Sequence, residues 1–335
     1  MTPPRGRYAP TPSGLLHVGN ARTGLVAWWS VRSRGGTFVW RLEDLDPPRT
    51  VPGAAEAALE DLAWLGMDWD EGGGKGGELG PHVQSQRSQH YRDALRQLDL
   101  QGRLFPCRRS RKDLRELATA PHGPHQGPAY PARLRPKVLE RGWLSKVLEE
   151  TTAAGGQGHG KTSAAVRFRV DDHPVTFVDR VLGPQTERVD RTVGDFVLRR
   201  RDGLWAYQLA VVVDDLLMKI DDVVRGSDLL DSTGRQIQLI EALGGTPPAY
   251  AHVPLVLNAE GEKLSKRDEG LTLRSLRQAG VEPRALVGYL AWSLGLQEEP
   301  SPRSAGELVE SFDWQRVRTT DHVLPEDLAR RLSGG

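Results

Sequence analysis

Fourteen residues near the N-terminus, Arg7-Tyr-Ala-Pro-Thr-Pro-Ser-Gly-Leu-Leu-His17-Val-Gly19-Asn20, constrain this chain more than any other stretch. Pro10 and Pro12 forbid regular structure and Gly14 permits a left-handed turn, while Asn20-Ala-Arg-Thr-Gly-Leu-Val-Ala-Trp-Trp carries apolar residues at helical spacing. The stretch therefore reads as a short strand, a glycine turn and the start of a helix. The unpaired N–H groups and positive dipole end of such a helix suit an anion, and His17 and Gly19 add an imidazole donor and uncovered backbone. By itself a His-x-Gly at a strand-to-helix turn is equally a buried histidine.

The following segments extend the alternation. Thr37-Phe-Val-Trp-Arg-Leu42 predicts a buried strand ending in Glu43-Asp44, where open α/β sheets bind ligands. Pro52 with Ala55, Leu59, Leu62 and Leu65 predicts a helix stopped by Gly66. Strand, helix, strand, helix implies a parallel sheet with right-handed crossovers. Ser88 to Leu100 is a further helix. Glu71 to Gly77 is a flexible loop with no assigned chemistry.

Ordered blocks along the chain carry a family resemblance. His17-Val-Gly19-Asn20 and Lys263-Leu-Ser265-Lys266-Arg267 resemble the HIGH and KMSKS signatures of class I aminoacyl-tRNA synthetases. Arg7 to Gly14, Arg41-Leu-Glu-Asp-Leu-Asp46-Pro-Pro-Arg49, Tyr207-Gln-Leu-Ala-Val-Val-Val-Asp-Asp215 and Val224-Arg-Gly-Ser-Asp228 are similar to glutamyl-tRNA synthetase blocks. The resemblance implies a Rossmann-like α/β fold: a parallel sheet in two halves, 5–106 and 196–270, an inserted α+β subdomain at 107–195, and a helical segment at 271–335. It also implies ATP as substrate with Mg2+. His17 and Lys266 become the expected catalytic residues, joined at the ATP site by Gly19, Asn20, Lys263 and Ser265. For L-glutamate it implies Arg7 and Arg225 for the carboxylates, Glu43 for the ammonium group, and Thr11 and Tyr207 for hydroxyl contacts. Which arginine faces the side chain stays open, and Thr11 stands where the family has serine.

The family also carries a zinc site of the form Cys-x-Cys and Tyr-x-x-x-Cys in its insertion. Here Cys107 and Tyr130 fit, but Arg109 and Leu134 occupy the other two ligand positions, and guanidinium and isobutyl groups are not zinc donors. His122 and His125 lie in a Pro/Gly-rich loop, so no zinc is expected.

A rival nucleotide site is Gly155-Gly-Gln-Gly-His-Gly160-Lys161-Thr162, a full phosphate-loop match, with Leu209 to Asp215 as its acidic strand. A phosphate loop must follow a strand and open a helix. The order here is reversed: Trp143 to Thr151 reads as helix before the glycines and Ala165 to Val170 as strand after them. Beyond that point strands are expected at Thr176 to Asp179, Phe196 to Leu198 and Trp205 to Tyr207. Tyr207 begins the return to the parallel sheet, followed by a strand ending Val223 to Arg225, a helix from Asp228 to Leu243, a last strand Val253 to Leu257 and helices from Leu273 to Leu296.

A net charge of +1 over 335 residues gives no global nucleic-acid footprint, so RNA contact must come from local clusters such as Arg108 to Lys112, Arg133 to Arg141 and Arg199 to Arg201. One cysteine, Cys107, excludes an internal disulfide, and there is neither a signal-like N-terminus nor an apolar run of membrane-spanning length, so a cytoplasmic monomer is expected. The sequence ends at Gly335 without the large helical anticodon-binding region that follows a glutamyl-tRNA synthetase core. It is therefore similar to the glutamyl-queuosine tRNA(Asp) synthetases, which attach glutamate to the queuosine base of tRNA(Asp). The alternative within the family is a truncated or partner-dependent glutamyl-tRNA synthetase.

Overall fold

The structure is a computed structural model that describes residues 2–109, 113, 129–150, 164–264 and 268–334. Its main sheet has six strands: β1 (Arg5–Tyr8), β2 (Thr37–Trp40), β5 (Val175–Asp179), β6 (Gly183–Glu187), β8 (Asp222–Gly226) and β9 (Ala249–Val253), in the order β2-β1-β8-β9-β5-β6. All neighbours are parallel except the β5–β6 hairpin at one edge. β1 and β2 are joined by helix α1 (Val18–Arg32), which packs on the sheet where Gly6 leaves room. A Cβ on Gly6 would sit 2.5 Å from the Val31 side chain. Helix α2 (Ala54–Trp64) follows the second strand as its Ala/Leu spacing predicts.

A second, antiparallel sheet is made by β3 (Leu104–Cys107), β4 (Ala165–Phe168) and β7 (Phe196–Arg199). Helices α3 (Ser88–Leu100), α4 (Trp143–Glu150), α5 (Tyr207–Leu217) and α6 (Thr233–Ala242) share one hydrophobic core with this sheet. The other large core joins α1 and the first strands to α7 (Leu273–Gln278) and α8 (Pro283–Ser293). Strand pairing runs across the expected break at 195/196, since β5 and β6 extend the main sheet while β7 belongs to the small one.

Several elements differ from expectation. Residues Tyr207 to Asp215 form a helix, not a strand, and so cannot be the acidic strand of a phosphate loop. Gln208 through Asp215 are all buried, and a continuous apolar run does not reveal its period. Trp205 makes only an isolated bridge to Arg199 before that helix starts. Pro254 divides the expected last strand into β9 and β10 (Val256–Leu257), the latter pairing with β11 (His322–Val323). A six-residue 3-10 turn, Ser227–Ser232, precedes α6. The glycine run Gly155 to Thr162, His122, His125, Ser265 and Lys266 lie outside the described residues.

Candidate active site

The turn after β1 delivers His17 as the N-cap of α1. Its Nδ1 accepts from the backbone N–H of Gly19 at 3.1 Å and of Asn20 at 3.3 Å, while Asn20 Oδ1 accepts from the His17 N–H at 3.0 Å. This reciprocal cap fixes the tautomer: a ring nitrogen that accepts two N–H groups carries no proton, so the proton sits on Nε2. Burial, reinforced by the nearby Lys263 charge and opposed by Asp268, pulls the imidazole down to about 4, so the ring is neutral at physiological pH. A Cβ on Gly19 would lie 3.0 Å from the His17 ring, so the capping ring packs where only glycine leaves room. Asn20 spends its side-chain oxygen on the cap.

The flanks of the downstream basic loop meet this turn. A hairpin closed by Asn258 N–H to the Glu262 carbonyl at 2.8 Å brings Lys263 back beside Leu257. Asn258 Nδ2 donates to Asp268 Oδ1 at 3.2 Å, tying the loop's two ends together. Thr272 bridges to His17, and the Leu273 N–H donates to the Leu16 carbonyl at 2.9 Å. Lys263 is ion-paired with Asp228, a partner that sequence reasoning did not supply.

The residues expected to meet glutamate belong in part to a network of buried charges. Arg41, fully buried, donates to Asp215 at 2.5 Å and to Glu43 Oε1 at 3.0 Å. Arg7, on β1, donates to the Val224 carbonyl at 3.2 Å and places Nε 3.4 Å from Asp215. Arg225, on β8, donates to three neutral acceptors: His252 Nε2 at 2.9 Å, Gln236 Oε1 at 2.7 Å and Thr233 Oγ1 at 2.9 Å. Burial raises the Glu43 carboxyl, with Arg41 and Arg7 pulling against it; in Asp215 burial also works upward, but Arg41 and Arg7 outweigh it and the carboxyl lies below its ordinary value.

Tyr207 opens α5 and is 38 % exposed. Burial raises its phenol, with the charges of Arg225, Glu43, Arg7 and Asp215 also acting on it. Thr11, Glu43 and Tyr207 line one cavity of about 940 Å³. Arg49, Arg109, Arg167, Arg200 and Arg201 line it too, with Trp205, so five arginines share the cavity with the three carboxylates of Glu43, Asp46 and Asp202.

Arg41 and Asp215 were missed as site residues, although both stand inside the quoted blocks. Two signals could have found them: Arg41 and Glu43 alternate onto one side of an extended segment, and Asp214-Asp215 interrupts an apolar run that must bury them. Asp214 is likewise buried, accepting from Arg87 at 2.6 Å, Gln84 at 2.8 Å and Tyr91 at 2.9 Å.

Residues 5–323 match the family model for the catalytic domain of class I tRNA synthetases (E and Q). The glutamyl-Q tRNA(Asp) synthetase of Symbiobacterium thermophilum is 47 % identical over 98 % of this chain and 98 % of its own. That of Nitratidesulfovibrio vulgaris is 44 % identical over 99 % of this chain and 98 % of its own. The crystal structure of glutamate-tRNA synthetase from Elizabethkingia anophelis superposes with a TM-score of 0.81 at 30 % identity, covering 98 % of this chain and 69 % of that one. The fold is accordingly the Rossmann-like α/β fold of class I synthetases. By its matched domain and its near end-to-end likeness to these relatives, the chain belongs to the class I tRNA synthetases (E and Q), among the glutamyl-Q tRNA(Asp) synthetases.

Proposed function

We propose that this chain activates L-glutamate with ATP and passes the glutamyl group to the queuosine base of tRNA(Asp). The observation that supports this reading is the cavity that Thr11, Glu43 and Tyr207, three of the expected glutamate residues, share with five arginines. In the first step a glutamate carboxylate oxygen attacks the α-phosphorus of ATP and pyrophosphate leaves. The neutral His17 offers Nε2–H to phosphate oxygens beside the α1 N-terminus, with Gly19 giving backbone access and Lys263 and Lys266 supplying positive charge. Asn20 supports the ATP site indirectly by fixing the His17 ring.

Arg7 and Arg225 take the two glutamate carboxylates, and Thr11 and Tyr207 give hydroxyl contacts. Glu43, raised by burial, gains from an ammonium group beside it. In the second step a hydroxyl of the queuosine cyclopentene-diol attacks the activated carbonyl carbon, AMP leaves, and the hydroxyl proton is released. Magnesium on the ATP phosphates would neutralise charge. Among the described residues no cluster of three or more His, Cys, Asp or Glu could hold a metal, so no protein ligand is assigned to it. No described helix is long and apolar enough to cross a membrane, and a cytoplasmic setting accords with a tRNA substrate.

The test is a charging assay comparing queuosine-containing tRNA(Asp) with tRNA(Glu). Glutamate-dependent ATP–pyrophosphate exchange without RNA, followed by transfer to the queuosine tRNA alone, is the expected outcome. Charging of tRNA(Glu) that is lost when its terminal ribose is oxidised would replace this reading with a glutamyl-tRNA synthetase.

A further inference from the structure

Arg225 differs from its neighbours in the site. Arg7 and Arg41 both lie against the Asp215 carboxylate, whereas every hydrogen bond found for Arg225 goes to a neutral group. Its guanidinium also lies 5.2 Å from the centre of the Tyr250 ring. A buried cation held only by neutral acceptors keeps its charge for a ligand, and a bidentate carboxylate site requires the fork to be held in one orientation.

Three adjacent strands supply that hold. Arg225 on β8 and His252 on β9 are register partners, and Asp179 lies at the end of β5 beside them. Asp179 Oδ2 lies 2.6 Å from His252 Nδ1, and His252 Nε2 lies 2.9 Å from Arg225 Nε. Because arginine can only donate, Nε2 must be the bare acceptor nitrogen, so Nδ1 bears the proton and donates it to Asp179. Asp179 is itself fixed by the backbone N–H groups of Val181 at 2.9 Å, Leu182 at 3.0 Å and His252 at 3.1 Å. His252 and Asp179 are essentially without solvent contact. The second ring nitrogen of His252 therefore faces Arg225 only because Asp179 holds the first one protonated.

We propose that Asp179 and His252 are positioning residues for glutamate recognition: the Asp179 carboxylate locks the His252 tautomer, and His252 in turn sets the plane in which Arg225 meets a glutamate carboxylate. This rests on the reading of Arg225 as a glutamate-binding residue. Neither residue touches the reacting atoms, and Gln236 and Thr233 each accept from one of the two terminal nitrogens of the same guanidinium.

Glutamate-dependent ATP–pyrophosphate exchange tests the proposal, with KM measured separately for glutamate and ATP. His252→Phe fills the space but removes the acceptor, and should raise KM for glutamate by about tenfold or more while KM for ATP stays within about twofold. His252→Gln, which returns an acceptor toward Arg225, should recover most of that loss. Asp179→Asn offers a second route should the phenylalanine variant not fold. An amide that donates to Nδ1 drives the proton onto Nε2, against Arg225, and should also raise KM for glutamate selectively. A parallel rise in both KM values, or no recovery with His252→Gln, would mean that the pair only supports the fold and would overturn the proposal. Arg225→Ala separates the two readings: if it leaves KM for glutamate unchanged, the assignment of Arg225 itself fails, whereas if it raises KM and His252→Phe does not, only the positioning role fails.

Discussion

A histidine that caps its own helix through Nδ1 has only Nε2–H left to offer a ligand, so at His17 the cap and the chemistry depend on one tautomer. His17→Asn separates them. Asparagine is a good N-cap, so the fold should persist, but its short side chain cannot reach where Nε2–H points, and exchange should fall by about 10²-fold or more. The folded ring titrates near 4 against an ordinary 6.5, so between those values the unfolded chain binds more protons. Wild-type stability should therefore fall as pH drops from 6.5 toward 4, and urea melts of His17→Asn should lose that part of the slope. Equal slopes in the two proteins would show that the imidazole is not buried as described. His17, Arg7 and Glu43 were singled out in the sequence through the family resemblance, His17 also through its place at a strand-to-helix turn. Arg41 was passed over: its alternation with Glu43 hinted at a shared side, but the partner that holds its guanidinium, Asp215, lies far along the chain.

Elements were legible where their period was clear and illegible where burial erased it. α2 shows its Ala/Leu stripe, whereas Leu209 to Val213 are buried on every side and can be assigned to neither period from sequence alone. Pro254 was a visible break that the run of valines and leucines around it concealed. In the small sheet, β3 ends at Cys107, whose Sγ lies 3.9 Å from the Tyr130 hydroxyl, and that hydroxyl donates to the Leu134 carbonyl at 3.2 Å. The two positions that match the family's zinc pattern thus do come together, but Arg109 and Leu134 stand at the other two, and neither side chain supplies a zinc donor. We propose that this element holds no zinc. Metal analysis of purified protein should find far less than one zinc per chain, and transfer activity should survive a zinc chelator. Stoichiometric zinc lost together with activity would show that donors outside the described residues complete the site.

Over the whole molecule, the parallel sheet followed from strand and helix alternation, but which strands pair did not. β5 and β6 fall within the 107–195 segment that the family resemblance marks as an insertion, and only the long-range Asp179 to Tyr250 pairing assigns them to the main sheet. The same long-range closure brings Arg49, Arg109, Arg200 and Arg201 from separate segments to the lining of one cavity, a local basic excess that a net charge of +1 conceals. If this cavity receives the anticodon loop, its arginines neutralise phosphates, and each lost contact should reduce the steepness with which tRNA binding weakens in salt by about one unit of log K per log salt. Trp205, half-buried in the same lining, is suited to stack against an unpaired base. Arg109→Glu combined with Arg200→Glu should therefore raise KM for tRNA by about tenfold or more in the transfer step and flatten its salt dependence. Glutamate-dependent exchange, which involves no RNA, is the control: an equal fall there would place these arginines at the glutamate or ATP site instead, and an unchanged salt slope would move the RNA to another face.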